Sequence, residues 1–229
     1  MKDISLIAFD ADDTLWECQT YFEAVEKEYC ELLKSYASAD EISKALFAVE
    51  TANMPLLGYG SKAFLLSLLE NAIEVSGGRL KADEVEKIIK LGKELLQLPG
   101  KPMDGVEETL KVLRERGVYH LVVFTKGELL DQENKFHRSG LKPYFDDIIV
   151  VSDKTEASYY QLCERFSINV EQLLMVGNSF RSDIEPVLKL GGWAAHIPFH
   201  TTWQHEVVEE YEHPHLLKLE YFTQLNQVL

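Results

Sequence analysis

The chain has 229 residues, of which 46% are hydrophobic and 27% are charged, and its formal net charge is -15. This balance is typical of a globular protein, and the length suits a core domain with a smaller accessory domain. Because so acidic a surface repels nucleic-acid backbones and anionic membranes, neither is expected as a partner, and an anionic small substrate would need a local cation.

The first predicted elements are five short apolar runs, read as buried strands. Each is four to six residues long and none alternates cleanly with polar residues, which is typical of parallel strands covered on both faces. In chain order they are Ile4–Phe9, His120–Phe124, Ile148–Val151, Leu173–Val176 and Trp193–Ile197. The N-terminal run is too short for a secretory or membrane-spanning segment, which predicts a cytoplasmic protein.

A long helical block separates the first two strands. Apolar residues at helical spacing, such as Phe22, Val25 and Tyr29, continue to about residue 98. A block of this length cannot be a plain crossover, so residues 16–98 are predicted to form an inserted all-helical domain. Residues 1–15 and 99–229 would form an α/β core with a doubly wound, Rossmann-like parallel sheet, because strands and helical patterns alternate after residue 104.

The C-terminal stretch from Phe199 to Leu229 is less regular. Four histidines lie there among four glutamates, and their spacing matches no standard pair of zinc ligands. The glutamates are therefore interpreted as solvated acidic surface, with no function assigned. The histidines are His200, His205, His213 and His215, and the glutamates are Glu206, Glu209, Glu210 and Glu212. Cys18, Cys30 and Cys163 are expected to be free buried thiols in a reducing compartment.

Candidate site residues follow four of the five strands, at the sheet edge where parallel α/β proteins bind ligands. After any one strand, polar residues indicate only loop solvation or helix capping, but four such groups together favour a site. Clustered carboxylates need a cation, and oxygen ligands suit Mg²⁺. A lysine, a hydroxyl and the backbone amides of Lys126 and Gly127 suit a phosphoryl group. In strand order the candidates are Asp10, Asp12 and Asp13; Thr125, Lys126 and Gly127; Lys154; and Asn178 with Asp183.

These residues resemble the signatures of the haloacid dehalogenase-like hydrolase superfamily. The segment from Asp10 to Leu15, with Asp12 and Thr14, resembles the first signature. Thr125, Lys154 and the segment Gly177-Asn178-Ser179 with Asp183 resemble the second, third and fourth, in the same order. The helical block resembles the mobile cap of small phosphatases that act on sugar phosphates, phosphoglycolate or nucleotides.

The resemblance implies a Mg²⁺-dependent phosphomonoester hydrolase. Asp10 would be the nucleophile that forms an aspartyl-phosphate, and Asp12 the general acid and base, with a pKa raised by neighbouring carboxylates. Thr14 would tie the loop together, and Asp13 would have no direct role. Thr125, Lys126, Gly127 and Lys154 would bind the phosphoryl group, while Asp10, Asp12 (through its carbonyl), Asn178 and Asp183 would hold the metal. A cap that closes over the strand ends would then select the substrate.

One residue departs from the family pattern, since an aspartate more often stands where this chain has Asn178. An amide oxygen can ligate Mg²⁺ but brings no negative charge, so weaker metal affinity is expected. The expected partner is a small phosphorylated metabolite, and a monomer or small homo-oligomer is equally compatible with the sequence.

Four alternatives stay open. A phosphomutase of the same superfamily shares the chemistry. A metal-independent 2-haloacid dehalogenase uses the same nucleophile but does not need Asp12. A phospho-receiver domain would need its phosphoacceptor after the third strand, where only Asp153 is available. A catalytically weak phosphate-binding protein is favoured only by Asn178.

Overall fold

The computed structural model describes residues 3–229. The chain divides into two compact units, one formed by Met1–Gln19 with Pro99–Leu229 and the other by Thr20–Leu98. We call them the core unit and the helical unit. In the described part of the chain, no helix is both long and apolar enough to cross a bilayer.

The core unit is built on one six-stranded sheet in which every pair of neighbours is parallel. The strand order is β3-β2-β1-β4-β5-β6. This arrangement confirms the predicted fold class of a doubly wound α/β core. The strands are β1 (Leu6–Phe9), β2 (His120–Lys126), β3 (Asp147–Val151), β4 (Leu173–Gly177), β5 (Trp193–His196) and β6 (Leu216–Lys218).

The helical unit is formed by four helices. Only the first residue of the first helix, Gln19, belongs to the core unit. They are α1 (Gln19–Leu33), α2 (Ala39–Leu57), α3 (Ser61–Val75) and α4 (Ala82–Leu95). Their apolar faces meet in a core of their own, where Tyr29, Leu33 and Leu68 are fully buried. The Tyr29 hydroxyl lies 2.6 Å from the Asn71 side-chain oxygen, so this buried hydroxyl has a partner.

The remaining helices cover both faces of the sheet. They are α5 (Val106–Arg116), α6 (Leu129–Ser139), α7 (Glu156–Phe166), α8 (Glu185–Lys189) and α9 (Leu225–Val228). Successive β1 side chains alternate between the two apolar clusters, with Ile7 and Phe9 in one and Leu6 and Ala8 in the other. The continuous apolar run of β1 therefore reflects burial on both faces.

The sheet order places β1 between β2 and β4. From β1 the chain builds one half of the sheet through β2 and β3, then returns to the other side of β1 for β4 and β5. The carboxyl ends of β1 and β4 therefore form the topological switch point, which is where ligands bind in open α/β sheets.

The strand boundaries differ from prediction at several ends, and one strand was missed. β2 continues through Thr125 and Lys126, so these residues belong to the strand rather than to the loop after it. β6 covers three residues of the stretch interpreted as irregular, a length at which no alternation can be recognised. All three cysteines are free and buried, as predicted.

Candidate active site

Three strand ends converge on the Asp10 carboxylate. The Thr14 hydroxyl lies 3.1 Å from Asp10 Oδ2 and 3.1 Å from Asn178 Oδ1, which links the end of β1 to the end of β4. From beyond β3, Lys154 Nζ lies 2.5 Å from Asp10 Oδ1 and 2.6 Å from Asp183 Oδ1. Asp10, Lys154 and Asp183 are all buried, so these ion pairs are little screened by water.

The environment of Asp10 holds more negative than positive charge. Burial, together with the Asp183 carboxylate, raises the pKa of Asp10 to about 7, although Lys154 acts in the opposite direction. Two buried carboxylates thus share one ammonium group. A further cation at this strand end would favour the ionised form of Asp10.

The Asp12 carboxylate is bound by Lys135, a residue of α6 that lies outside the four signature segments. Lys135 Nζ lies 2.7 Å from both Asp12 oxygens, and the side-chain nitrogens of Trp16 and Gln132 lie 2.8 Å and 3.1 Å from one oxygen each. Burial raises the pKa of Asp12, but Lys135 and these hydrogen bonds outweigh it and hold the pKa below its ordinary value. The prediction that neighbouring carboxylates raise this pKa is therefore wrong.

Gln132 connects Asp12 to the second motif. Its side-chain nitrogen donates to the Thr125 hydroxyl over 2.5 Å and lies 3.2 Å from the Lys126 carbonyl oxygen. Among residues 3–229, the acceptor nearest to the hydrogen of the Thr125 hydroxyl is the Lys126 carbonyl, at a long 3.4 Å. Thr125 therefore keeps a donor for a bound anion.

The contribution of Gly127 differs from the prediction. Its amide donates to the Val151 carbonyl over 3.1 Å, so it extends the pairing of β2 with β3 and is not available to a phosphoryl group. Its φ of 140° lies in a region that favours glycine. Gly127 thus supplies the turn after β2 rather than a phosphate ligand.

Lys126 is paired with an acid from the C-terminal stretch. Its ammonium forms an ion pair with Glu206 and donates to the Ser182 hydroxyl over 3.0 Å. Glu206 also accepts hydrogen bonds from the hydroxyls of Ser179 and Ser182. The interpretation of Glu206 as solvated surface is therefore wrong, whereas Glu209, Glu210 and Glu212 are exposed as predicted.

A short π-helical turn, Phe180–Ile184, places Asp183 back against the end of β4. Asp183 Oδ2 accepts from the Ser179 amide over 3.0 Å, while its other oxygen binds Lys154. A methyl group on Gly177 would lie 2.2 Å from Asp183 Oδ2, so only glycine allows this approach. Both Asp183 oxygens are therefore engaged, and the carboxylate holds Lys154 in place.

Asp13 caps the chain that leads into α1, as predicted for a loop residue. Its carboxylate accepts from the amides of Cys18 and Gln19 over 2.7 Å and 3.0 Å. Its φ of 63° is left-handed, a conformation that aspartate tolerates better than most residues. Burial raises the pKa of Asp13 to about 7, and the charge of Asp12 adds to this.

The residues of α6 that were not predicted share a weak sequence signal. The buried face of α6 is mostly polar, with Asp131, Gln132, Lys135 and Ser139 at helical spacing beside Phe136. A polar face that a helix buries indicates a site or a network, because unpaired buried polar groups are costly. The sequence alone does not show which face is buried. For Glu206, no pattern distinguishes it from the exposed glutamates nearby.

The oxygen atoms near Asp10 fit the predicted cation in their chemistry. Asp10 Oδ2 and Asn178 Oδ1 both approach the Thr14 hydroxyl, and oxygen donors of this kind are what Mg²⁺ prefers. Within residues 3–229 no three His, Cys, Asp or Glu side chains form a metal-binding group. Asn178, an amide, is outside that residue set, and the Asp12 carboxylate is turned to Lys135.

Comparison with known proteins identifies the family. The haloacid dehalogenase-like hydrolases match residues 4–191. Haloacetate dehalogenase H-2 from Moraxella sp. (strain B) is 28% identical over 185 residues, which cover 78% of this chain and 79% of that protein.

Two solved structures are similar over almost the whole chain. A haloacid dehalogenase-like family hydrolase from Xanthomonas campestris is 34% identical, with a TM-score of 0.89, over 99% of this chain and 90% of that one. A predicted phosphoglycolate phosphatase from Haemophilus somnus 129PT shares the fold at 19% identity, with a TM-score of 0.64, over 100% of this chain and 99% of that one. With four signature segments assembled at one sheet edge and a family match that spans most of its length, the chain belongs to the haloacid dehalogenase-like hydrolases.

Proposed function

We propose that this hydrolase is a Mg²⁺-dependent phosphomonoesterase that acts through an aspartyl-phosphate on Asp10. The observation that carries the proposal is the second carboxylate, Asp12, held on the same loop with its own cation, Lys135. Hydrolysis of a phosphate ester needs a proton donor for the leaving oxygen and a base for water, and Asp12 supplies both. Attack on a carbon–halogen bond needs no proton for the departing halide.

In the first step, an Asp10 oxygen attacks phosphorus and the bond to the leaving oxygen breaks. Lys154, which contacts Asp10 directly, balances charge on the phosphoryl oxygens, and the Thr125 hydroxyl donates to one of them. In the second step, water attacks the same phosphorus, the bond to Asp10 breaks and inorganic phosphate leaves. Asp183 acts through Lys154, whose ammonium it orients.

In the proposed mechanism, Asp12 alternates between an ionised and a protonated state. Paired with Lys135, it is ionised and serves as the base that takes a proton from water. The proton that it takes from water in the second step is then the one that it gives to the leaving oxygen in the next turnover.

Asp10, Asn178, the backbone carbonyl of Asp12 and, directly or through water, Asp183 would hold Mg²⁺. When bound, the ion offsets the excess negative charge around Asp10 and on the phosphoryl oxygens. The substrate is a small phosphorylated metabolite, and an acidic chain of net charge -15 would not attract a nucleic-acid polymer or an anionic membrane. We place the enzyme in the cytoplasm.

A 2-haloacid dehalogenase is the second candidate, favoured by the similarity to haloacetate dehalogenase H-2. In that reaction Asp10 would attack carbon to form an ester as the carbon–halogen bond breaks, and water would then hydrolyse the ester, with Lys154 as the ion-pair partner of Asp10 and no need for a metal. The Asp12–Lys135 pair would then have only a structural role.

Assays of phosphate release and of chloride release by the purified chain separate these functions. Release of phosphate from an aryl phosphate is measured with Mg²⁺, with EDTA and with Asp10→Asn, and chloride release is measured from chloroacetate. We expect phosphate release that both EDTA and Asp10→Asn abolish, and no chloride release. Chloride release without phosphatase activity would establish the dehalogenase, and inactivity on a broad phosphomonoester panel would favour a mutase or a binding protein.

A further inference from the structure

Glu206 reaches the predicted site from a segment that lies outside all four signature motifs. It ends a short 3-10 turn, Gln204–Glu206, in the chain between β5 and β6. Its side chain is 10% exposed, whereas its neighbours Val207 and Glu209 are exposed. A carboxylate this buried needs partners, because removing an ion from water is costly.

The partners of Glu206 belong to two different motifs. Its carboxylate pairs with the Lys126 ammonium and accepts from the Ser182 hydroxyl over 2.6 Å and from the Ser179 hydroxyl. The Lys126 ammonium also lies 5.9 Å from the centre of the Trp203 ring, a cation–π distance. Burial raises the pKa of Glu206, but Lys126 and these hydroxyls outweigh it and keep the carboxylate ionised.

The partners of Glu206 lie on or after the two strands that flank the strand of the nucleophile. Lys126 ends β2, and Ser179 and Ser182 follow β4, while β1 lies between these strands. Neighbouring strands are about 4.8 Å apart, so a side chain that joins β2 to the β4 loop passes over the carboxyl end of β1. Asp10 immediately follows that end.

The pair also lies within the electrostatic field of the site. Asp183, Asp10 and Glu206 all raise the pKa of the buried Tyr159 hydroxyl, after burial itself, so the three carboxylates act on one group. Tyr159 in turn donates to the Ser182 carbonyl over 2.9 Å. Glu206 therefore lies close enough to Asp10 and Asp183 to act on the same buried side chain.

We propose that Glu206 is a positioning residue that holds and neutralises Lys126, and so limits how tightly the site binds a phosphate anion. The inference rests on the proposed phosphatase function. Without the opposing charge of Glu206, Lys126 would bind substrate and product phosphate equally well, which lowers KM but slows product release. With Glu206 in place, phosphate binding depends chiefly on Lys154 and Thr125, whose contacts are made at the reacting group.

The test measures binding of inorganic phosphate by calorimetry, with and without Mg²⁺, for the wild type and Glu206→Gln. The variant keeps the shape of the side chain and removes its charge. We expect phosphate to bind about tenfold more tightly, because one unbalanced charge in a partly buried site has an effect of this order. KM for an aryl phosphate should fall in the same direction, while kcat does not rise.

Two further variants make the result specific. Glu209→Gln changes the net charge equally at an exposed position of the same segment, so it should leave phosphate affinity unchanged. Adding Lys126→Met to Glu206→Gln should cancel the gain. Weaker or unchanged phosphate binding in Glu206→Gln, or an equal gain of affinity in Glu209→Gln, overturns this inference and leaves the proposed function standing. A wild type that neither binds phosphate nor hydrolyses phosphate esters overturns the proposed function and the inference together.

Discussion

At the scale of single residues, the proposed acid–base chemistry depends on how Asp12 is held. Its carboxylate faces the Lys135 ammonium at 2.7 Å, in a position where burial alone would favour the neutral acid. An acid and base that works in both halves of a reaction needs both states within reach. The ion pair with Lys135 stabilises the ionised state of Asp12, whereas burial opposes it.

Replacing Lys135 with methionine should raise the pKa of Asp12, because the main interaction that lowers this pKa is lost while the effect of burial remains. The rate of the second step requires ionised Asp12, so the acid limb of the kcat profile should move to higher pH. We expect roughly a tenfold loss of kcat near pH 6 and a smaller loss near pH 8, because on the acid limb kcat falls about tenfold for each pH unit. Steady-state kinetics across that range measure it.

Lys135→Arg is the matched control, since it keeps the positive charge and should keep the position of the acid limb. A Lys135→Met profile that is merely lowered, with no change in shape, would show that Lys135 only stabilises the fold.

Asn178 is the residue that should limit metal affinity. Its side-chain oxygen and an Asp10 oxygen both lie 3.1 Å from the Thr14 hydroxyl, but the amide of Asn178 carries no charge. Asn178→Asp adds a carboxylate of nearly the same shape, so half-saturation of activity should need severalfold less Mg²⁺. Titration of both proteins with Mg²⁺ checks this, and an equal or higher requirement in the variant contradicts it.

Single residues also show where sequence reasoning succeeds. Asp10, Lys154 and Asp183 were predicted from their positions after apolar strands, and the structure brings all three into one ion-paired group. Lys135 and Glu206 were not predicted, because each reaches the site through side-chain geometry that follows no strand end. Charged side chains are usually exposed, so their burial is visible only in the fold.

At the scale of elements, the π-helical turn after β4 decides where Asp183 lies. Gly177→Ala would place a methyl group 2.2 Å from Asp183 Oδ2, and that carboxylate cannot retreat without leaving Lys154 or the Ser179 amide. We expect kcat to fall about a hundredfold, the cost of a misplacement of roughly 1 Å. Steady-state rates and thermal unfolding, measured together, test this.

A stable but inactive Gly177→Ala protein is the predicted outcome. Full activity would mean that Asp183 does not need its observed position. Loss of activity only in proportion to loss of folded protein would show that the glycine serves packing alone.

Elements differ in how far the sequence predicts them. The five longer strands were predicted because buried parallel strands are continuous apolar runs bounded by polar residues. β6 was not predicted, because three residues are too few to show a repeating pattern of apolar side chains. Its pairing with β5 is visible only in the fold. Where β2 ends was also misjudged, since Thr125 and Lys126 are polar residues that the sheet nevertheless pairs with β3.

At the scale of the whole molecule, the net charge of -15 opposes the approach of an anionic substrate. Salt screens this repulsion, because the Debye length falls from about 30 Å at 0.01 M to about 8 Å at 0.15 M ionic strength. At fixed Mg²⁺, kcat/KM for an aryl phosphate should therefore rise a fewfold across this range, with kcat unchanged. A steady fall would indicate that local attraction by Lys154 outweighs the overall field.

The central claim is that Asp10 becomes phosphorylated during turnover, and the most direct test is to find the phosphoryl group. The enzyme is mixed with substrate and Mg²⁺, quenched in acid within one turnover, digested and analysed by mass spectrometry. We predict one phosphoryl group on the peptide that contains Asp10, absent from Asp10→Asn. Rapid phosphate release with no phosphorylated peptide, or with the group on another residue, would contradict the account.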